Sequence, residues 1–217
     1  MSDSDDSDDF VLLERAREGD GEAWRLLVER HCPRVRRFLR TKVPPDALDD
    51  LTQESFVRLE QARASDKQMR SFKAFLLGIT NHVFHEFVRA RVRDPRLSLD
   101  DISAIDLDPR PSTLLAKKAE QALLLEGLRR ISVTHQIVLE LFYWEDMTAP
   151  EIAIVLEENE NTIRSRIDRG RKHLRQLLVE FDRTGVVPRE TDTDLDEWAA
   201  KRRREGLDDH DDDSDPA

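Results

Sequence analysis

Apolar residues recur at three- and four-residue spacing along most of the chain, which is the period of an amphipathic helix. The pattern begins at Phe10, is broken at Pro44 and Pro45, resumes as far as Arg93 and returns at Thr113. No stretch of useful length shows the alternation of apolar and polar residues that a half-buried strand requires. The pattern therefore predicts an all-α protein.

The stretch between the two helical parts differs in composition. Residues 94–112 contain three prolines, five aspartates and scattered apolar residues, which is typical of a flexible linker. We therefore predict two small helical domains, over 10–93 and 113–182, joined by this linker. The two ends, 1–9 and 183–217, are acidic and poor in apolar residues, so we expect a disordered tail and a mostly disordered extension.

The net charge of -11 conceals basic clusters. Five aspartates lie in the first ten residues, and the last 35 residues hold twelve acids and six bases, so the intervening part is neutral overall. Within it, residues 25–42 carry seven bases and residues 161–175 carry six. Basic clusters on a neutral body are typical of a protein that binds a polyanion, although solvated helix faces give the same pattern.

Composition and motifs exclude several classes of protein. A single cysteine, Cys32, allows no disulfide framework and no cysteine-based metal cage, and it favours a reducing, cytoplasmic location. Neither a secretory signal nor an apolar run of membrane-spanning length is present, so we expect no membrane insertion. His31 beside Cys32 lacks further ligands, and no catalytic motif is found. We therefore expect no enzyme activity, no cofactor and no metal.

Residues 148–178 combine a short apolar helix, a tight turn and a longer basic helix. Thr148 and Glu151 have capping-box spacing at the start of the first helix, and Asn159 is an N-cap for the second. This order is typical of a helix-turn-helix that binds DNA. The alternative is a basic amphipathic helix in an ordinary bundle.

The second helix of this motif suits the major groove. Arginine can bond guanine, asparagine can bond adenine and aspartate can accept from cytosine. We expect Arg171, Lys172 and Arg175, further along, to meet phosphates. The candidate base-reading residues are Asn161, Arg164, Ser165, Asp168, Arg169 and Lys172.

Three segments resemble bacterial RNA polymerase sigma factors, above all the small two-domain group named for extracytoplasmic function (ECF). Residues 49–59, DDLTQESFVRL, are similar to the family's core-polymerase-binding helix. Residues 72–91, which begin FKAFLL, are similar to the helix that melts and reads the minus-ten element. Residues 151–174, which include TIRSR, are similar to the motif that reads the minus-thirty-five element.

The resemblance implies a sigma factor that binds core RNA polymerase and directs promoter-specific transcription initiation. Its partners would be core polymerase, promoter DNA and an anti-sigma factor that the sequence does not identify. The implied polymerase contacts are Asp49, Asp50, Gln53 and Glu54. The implied minus-ten contacts are His82, Glu86, Arg89 and Arg91. We expect the nearby Phe72, Phe75 and Phe84 to be core residues.

The minus-ten segment departs from the family pattern. Phe75, His82 and Glu86 stand where the family usually has Trp, Asn and Asp, and Gly78 replaces a frequent arginine. We therefore do not assign the family's usual promoter sequence to this chain. Two other interpretations stay open: a helix-turn-helix regulator that binds duplex DNA without polymerase, and a sigma-like decoy that binds a regulatory partner.

Overall fold

The computed structural model of the chain consists mainly of helices in the part that it describes. That part comprises residues 2–62, 71–92, 98–108, 119–181 and 197. The β-type pairing found within these ranges is an isolated bridge between Ser103 and Ser132. The prediction of an all-α protein is therefore confirmed, whereas the predicted extension over 183–217 lies outside the described residues apart from Glu197.

Nine helices occur in the described ranges. They are α1 (Ser2–Arg17), α2 (Gly21–Arg40), α3 (Pro45–Ala62), α4 (Phe72–Arg91), α5 (Ala104–Leu107), α6 (Ala119–Arg130), α7 (Val133–Tyr143), α8 (Ala149–Leu156) and α9 (Glu160–Phe181). The described residues fall into two compact units. One is drawn from 1–95 and 153–158, and the other from 96–152 and 159–217.

Helices α1 to α4 build the core of the first unit. The side chain of Asp20 caps α2 by accepting from the backbone N–H groups of Glu22 and Ala23. The apolar side of each helix faces the others, and its fully buried members include Leu13, Leu27, Leu39, Leu59, Phe72 and Phe84. The core prediction holds for Phe72 and Phe84, whereas Phe75 is only half-buried.

The structure corrects the prediction of a disordered tail over residues 1–9. Helix α1 already begins at Ser2, and Asp9 is 1% exposed. One carboxylate oxygen of Asp9 accepts from Arg30, and the other lies 2.7 Å from Nε2 of His31 on α2. The sequence pattern missed this because an aspartate next to an acidic run does not look like a core residue.

The structure also corrects the predicted linker over its central part, residues 98–108. The Ile102 side chain is buried, and its carbonyl accepts from the N–H of Val133 at 2.7 Å. Ser103 and Asp106 form a capping box at the start of α5. Arg129 of α6 donates to the carbonyl of Asp108 at 2.5 Å. This segment therefore belongs to the second unit.

Helices α7 and α9 pack closely in the second unit because α9 has a glycine at the contact. A Cβ atom at Gly170 would lie 3.3 Å from His135 Cβ and from Leu139 of α7. The predicted apolar stripe of α9 is buried at Ile163, Ile167, Gly170, Leu174 and Leu178, and Leu177 is half-buried.

Candidate polymerase and promoter surfaces

Helix α3 separates a buried side from an exposed acidic side. Its buried side includes two polar residues, and both are satisfied within the helix. Thr52 donates to the carbonyl of Leu48 at 2.7 Å, and Ser55 donates to that of Leu51 at 2.8 Å. The opposite side presents three of the predicted polymerase contacts to solvent, Asp49, Asp50 and Gln53.

Two of the four predicted polymerase contacts take part in ion pairs. Asp49 pairs with Arg36 of α2, although its side chain remains 79% exposed. Glu54 is half-buried and accepts from Nε of Arg58 at 2.7 Å. Sequence reasoning assigned no role to Val57, which is 39% exposed and lies one turn after Gln53. Its spacing from Gln53 was the signal that this apolar residue shares the exposed side.

The predicted minus-ten residues lie along the second half of α4. This helix begins after Ser71, whose hydroxyl accepts from the N–H of Ala74 at 3.2 Å. The exposed residues His82, Glu86 and Arg89 follow four- and three-residue spacing, so they share one stripe. Arg91 is exposed as well, and its guanidinium lies 4.4 Å from the centre of the Phe87 ring.

His85 lies beside this stripe without adding charge to it. Burial, with smaller contributions from the nearby His82 and Arg89, lowers the pKa of His85 to about 4. The imidazole of His85 is therefore neutral at pH 7. The positive charge at this end of α4 comes from Arg89 and Arg91.

Arg58 connects the two candidate surfaces of the first unit. Its Nη1 and Nη2 atoms donate to the two carboxylate oxygens of Glu86 at 2.8 and 2.7 Å. The hydrogen bond to Arg58 is the largest cause that lowers the pKa of Glu86, so this carboxylate is charged at neutral pH. Sequence reasoning missed this connection because residues 58 and 86 are far apart in the chain.

The helix-turn-helix forms from local capping as the sequence predicts. Both the N–H and the hydroxyl of Thr148 donate to the Glu151 carboxylate at 2.6 Å, at the start of α8. Glu157 then takes a positive φ of 54° in the turn. Asn159 caps α9 by accepting from the N–H of Asn161 at 2.9 Å. Three short-range signals thus fix where α8 and α9 begin.

Helix α9 presents most of the predicted base-reading residues to solvent. Asn161, Arg164, Asp168, Arg169 and Lys172 are exposed, and Ser165 is half-buried. Arg164 is held by Glu160, which accepts from Nε at 2.8 Å and from Nη2 at 2.5 Å. An exposed polar and basic face of this kind fits the major groove of DNA.

The three predicted phosphate contacts on α9 differ in exposure. Arg171 is half-buried, and its guanidinium lies 4.8 Å from the centre of the Phe142 ring on α7. Arg175 is half-buried on the same helix. Arg171 therefore lies toward α7, next to the buried Gly170. Of the three residues, Lys172 alone is fully exposed.

The described residues show neither metal-site geometry nor a membrane-crossing helix. Across the described ranges, no group of three or more His, Cys, Asp or Glu side chains is placed to hold a metal ion. Among the described helices, none has the length and apolarity needed to cross a bilayer.

The structure defines a helical DNA-binding protein of transcription. The features that define it are the exposed acidic side of α3, the basic end of α4 and the helix-turn-helix.

Comparisons with known proteins identify the family. The family model described as Sigma-70 region 2 matches residues 27–94, and the one described as Sigma-70, region 4 matches residues 121–174. The ECF RNA polymerase sigma factor BldN of Streptomyces coelicolor is 28% identical over 180 residues, which cover 82% of this chain and 68% of that protein. The RNA polymerase sigma factor NccH of Alcaligenes xylosoxydans is also 28% identical, over 81% of this chain and 97% of that protein.

Solved structures share the fold. CnrH in complex with the cytosolic domain of CnrY aligns with a TM-score of 0.62 and 24% identity, over 81% of this chain and 99% of that one. The sigma factor RpoE of Bartonella quintana, in complex with the anti-sigma factor NepR, aligns with a TM-score of 0.56 and 21% identity, over 73% and 98%. The chain belongs to the sigma-70 family, as an ECF-group sigma factor. It binds core RNA polymerase and directs promoter-specific transcription initiation.

Proposed function

We propose that the exposed side of α3 is the surface that binds core RNA polymerase. Asp49, Asp50, Gln53 and Glu54 would supply its polar contacts. The observation that carries this proposal is the division of α3 into a buried side and an exposed acidic side. Asp50 and Gln53 lie at the centre of the exposed side, so they are the first residues to change.

The end of α4 and the exposed face of α9 would contact the promoter. Along α4, His82, Glu86, Arg89 and Arg91 form a polar rim with two arginines, which suits unstacked bases and their phosphates. Along α9, the N-terminal residues Asn161, Arg164 and Ser165 would approach base edges. Asp168, Arg169 and Lys172 follow one to two turns later and would extend the contact along the groove. Exposure and charge support both assignments.

The regulatory role would need no catalysis by this chain, because polymerase performs the chemistry of initiation. We also propose that the protein acts in the cytoplasm, where polymerase and the chromosome are found. An anti-sigma factor would regulate it. The two solved relatives were captured with the cytosolic domain of CnrY and with the anti-sigma factor NepR, which supports a partner of this class.

Co-elution with bacterial core RNA polymerase tests the polymerase-binding proposal. Wild type should co-elute, and the double variant Asp50→Arg, Gln53→Ala should not. Glu29→Arg is the matched control, because it reverses an exposed acidic charge on a different helix, α2. Loss of co-elution in the control as well would contradict the assignment to α3. Duplex DNA binding without polymerase would instead support a stand-alone regulator, and capture of a regulatory protein without any DNA binding would support a decoy.

A further inference from the structure

Arg58 bonds carboxylates on both candidate surfaces of the first unit. Its Nε donates to Glu54 Oε1 at 2.7 Å, one turn earlier on α3. Its two terminal nitrogens donate to the two oxygens of Glu86 on α4 at 2.8 and 2.7 Å. A single guanidinium therefore connects the proposed polymerase-binding surface with the proposed minus-ten stripe.

The geometry of this network distinguishes it from an ordinary surface ion pair. Hydrogen bonds between charged groups are shorter and stronger than neutral ones, and two parallel bonds between an arginine and a carboxylate also fix their relative orientation. The third bond, to Glu54, restricts the Arg58 side chain, so less rotamer freedom is lost when Glu86 binds. Arg58 is 32% exposed, which leaves it partly screened from solvent. Surface pairs contribute little as a rule, but bidentate geometry and a network are the recognised exceptions.

The same geometry limits what Glu86 can do for a base. A carboxylate that reads cytosine accepts a hydrogen bond from its amino group. Both oxygens of Glu86 already accept hydrogen bonds from Arg58, and the positive charge of Arg58 balances the negative charge of the carboxylate. His82 and Arg89, on the same stripe, remain exposed and have no such link to α3 among the described contacts.

We propose that Arg58 and Glu86 are positioning residues that hold the second half of α4 against α3, and that Glu86 does not read a promoter base. The inference rests on the proposed promoter contact of α4. Base and phosphate contacts then fall to His82, Arg89 and Arg91. Because Arg58 also bonds Glu54, the position of the minus-ten stripe depends on the helix that faces polymerase.

The test uses the full chain assembled with core polymerase and a duplex pool randomised across the minus-ten element. The variants are R58A, E86A and the double variant R58A/E86A, with R25A as the control. Arg25 pairs with Glu22 on α2, so R25A removes a comparable exposed ion pair away from both surfaces. Binding to core polymerase and opening of the promoter are measured separately, and permanganate reactivity of the DNA detects opening. All variants are compared at a temperature where circular dichroism shows them folded.

We expect R58A and E86A each to lower promoter opening about tenfold, because small misplacements of a binding surface are costly. Core binding should stay within about twofold of wild type, and R25A should behave as wild type. The double variant should be no worse than either single variant, since residues that act through one contact are not additive. The sequence selected from the pool should be the same for wild type and E86A.

A conservative exchange separates positioning from general stability. R58K keeps the charge but loses the paired hydrogen bonds, so it should restore opening only in part. Additive effects of R58A and E86A, or a changed base preference in E86A alone, would overturn the inference while the proposed function stands. A wild type that binds core polymerase but opens no member of the pool would overturn the promoter proposal, and the inference with it.

Discussion

Nε2 of His31 lies 2.7 Å from Oδ2 of Asp9, and both side chains are 2% exposed. On the other side of the ring, Nη1 of Arg34 lies 2.6 Å from Nδ1 of His31. Because arginine only donates, Nδ1 must accept, and the hydrogen-bond network therefore places the ring proton on Nε2, which donates to Asp9. The acidic start of the chain is thus joined to α2 by a buried polar contact.

Asp9→Ala should destabilise the first unit. The substitution leaves the buried His31 without an acceptor, which costs about 1–3 kcal/mol of unfolding free energy. Urea unfolding followed by circular dichroism measures the change. Asp8→Ala is the matched control, because Asp8 is exposed and adjacent. Equal stability of the two variants would show that Asp9 is no more than part of an acidic tail.

The contribution of Asp9 should depend on pH in a defined direction. Burial raises the pKa of Asp9, but the hydrogen bonds from His31 and Arg30 and the positive charge of Arg30 outweigh it, so the pKa lies below the ordinary 3.8. A lowered pKa in the folded state gives stability that is present above the unfolded value and is lost as pH falls through the folded value. The difference in unfolding free energy between wild type and Asp9→Asn should therefore be constant above about pH 5 and shrink below about pH 4. A difference that grows on acidification would contradict the assignment.

Asp9 also shows which part of the fold sequence patterns can predict. The apolar stripes of α2, α4 and α9 follow from helical periodicity, and the starts of α8 and α9 follow from Thr148, Glu151 and Asn159. Buried polar contacts between distant residues leave no such local signal. For this reason no local pattern indicates that residues 2–9 join the helical body or that part of the predicted linker docks on α6 and α7.

The turn between α8 and α9 offers a stabilising substitution. Glu157 has a φ of 54°, a left-handed conformation that costs a residue with a Cβ atom about 1–2 kcal/mol. Glu157→Gly relieves this cost, and the greater freedom of glycine in the unfolded chain offsets roughly 0.5–1 kcal/mol of the gain. We therefore expect a net increase in unfolding free energy of up to about 1.5 kcal/mol.

Glu158→Gly is the control for that experiment, because Glu158 has no positive φ. It should lower the unfolding free energy by about 0.5–1 kcal/mol. Thermal unfolding of the two variants beside wild type gives both values. A loss of stability in both variants would mean that the turn does not hold Glu157 in the left-handed conformation.

On α9, phosphate contacts and base contacts should differ in how DNA binding depends on salt and on sequence. Lys172→Ala should weaken promoter binding by the holoenzyme at all sequences and lower the slope of log affinity against log salt by about 1, as expected for one lost phosphate contact. Arg169→Ala should relax the preference at one base pair by about 1–3 kcal/mol. Arg130→Ala on α6 removes an equal charge that pairs with Glu126 and should change neither quantity. If Lys172→Ala alters sequence preference and leaves the salt slope unchanged, the phosphate assignment is wrong.

The candidate surfaces illustrate the same division between local and distant information. The exposed positions of α3 and α9 follow from the helical period, because residues opposite the apolar stripe face solvent. The roles of their side chains depend on neighbours on other helices. Glu86 bonds Arg58 of α3, and Arg171 packs on Phe142 of α7. A family resemblance suggests which positions have a functional role. It does not show which of their charged side chains already form ion pairs within the fold.

The acidic residues after α9 should reduce non-specific DNA binding. Residues 183–217 hold twelve acids and six bases and follow directly on the basic helix, so they compete with DNA phosphates for the same positive charges. Truncation after Asp182 should raise the affinity for random-sequence duplex, most strongly at low salt, where phosphate contacts contribute most. The control is a full-length chain in which asparagine and glutamine replace the aspartates and glutamates of this segment. It keeps the length of the segment and removes its negative charge. Equal affinity of wild type, truncation and control at low salt would show that the segment does not compete with DNA. If only the truncated chain binds random-sequence duplex more tightly, the segment acts through its bulk. If both variants bind more tightly, it acts through its negative charge.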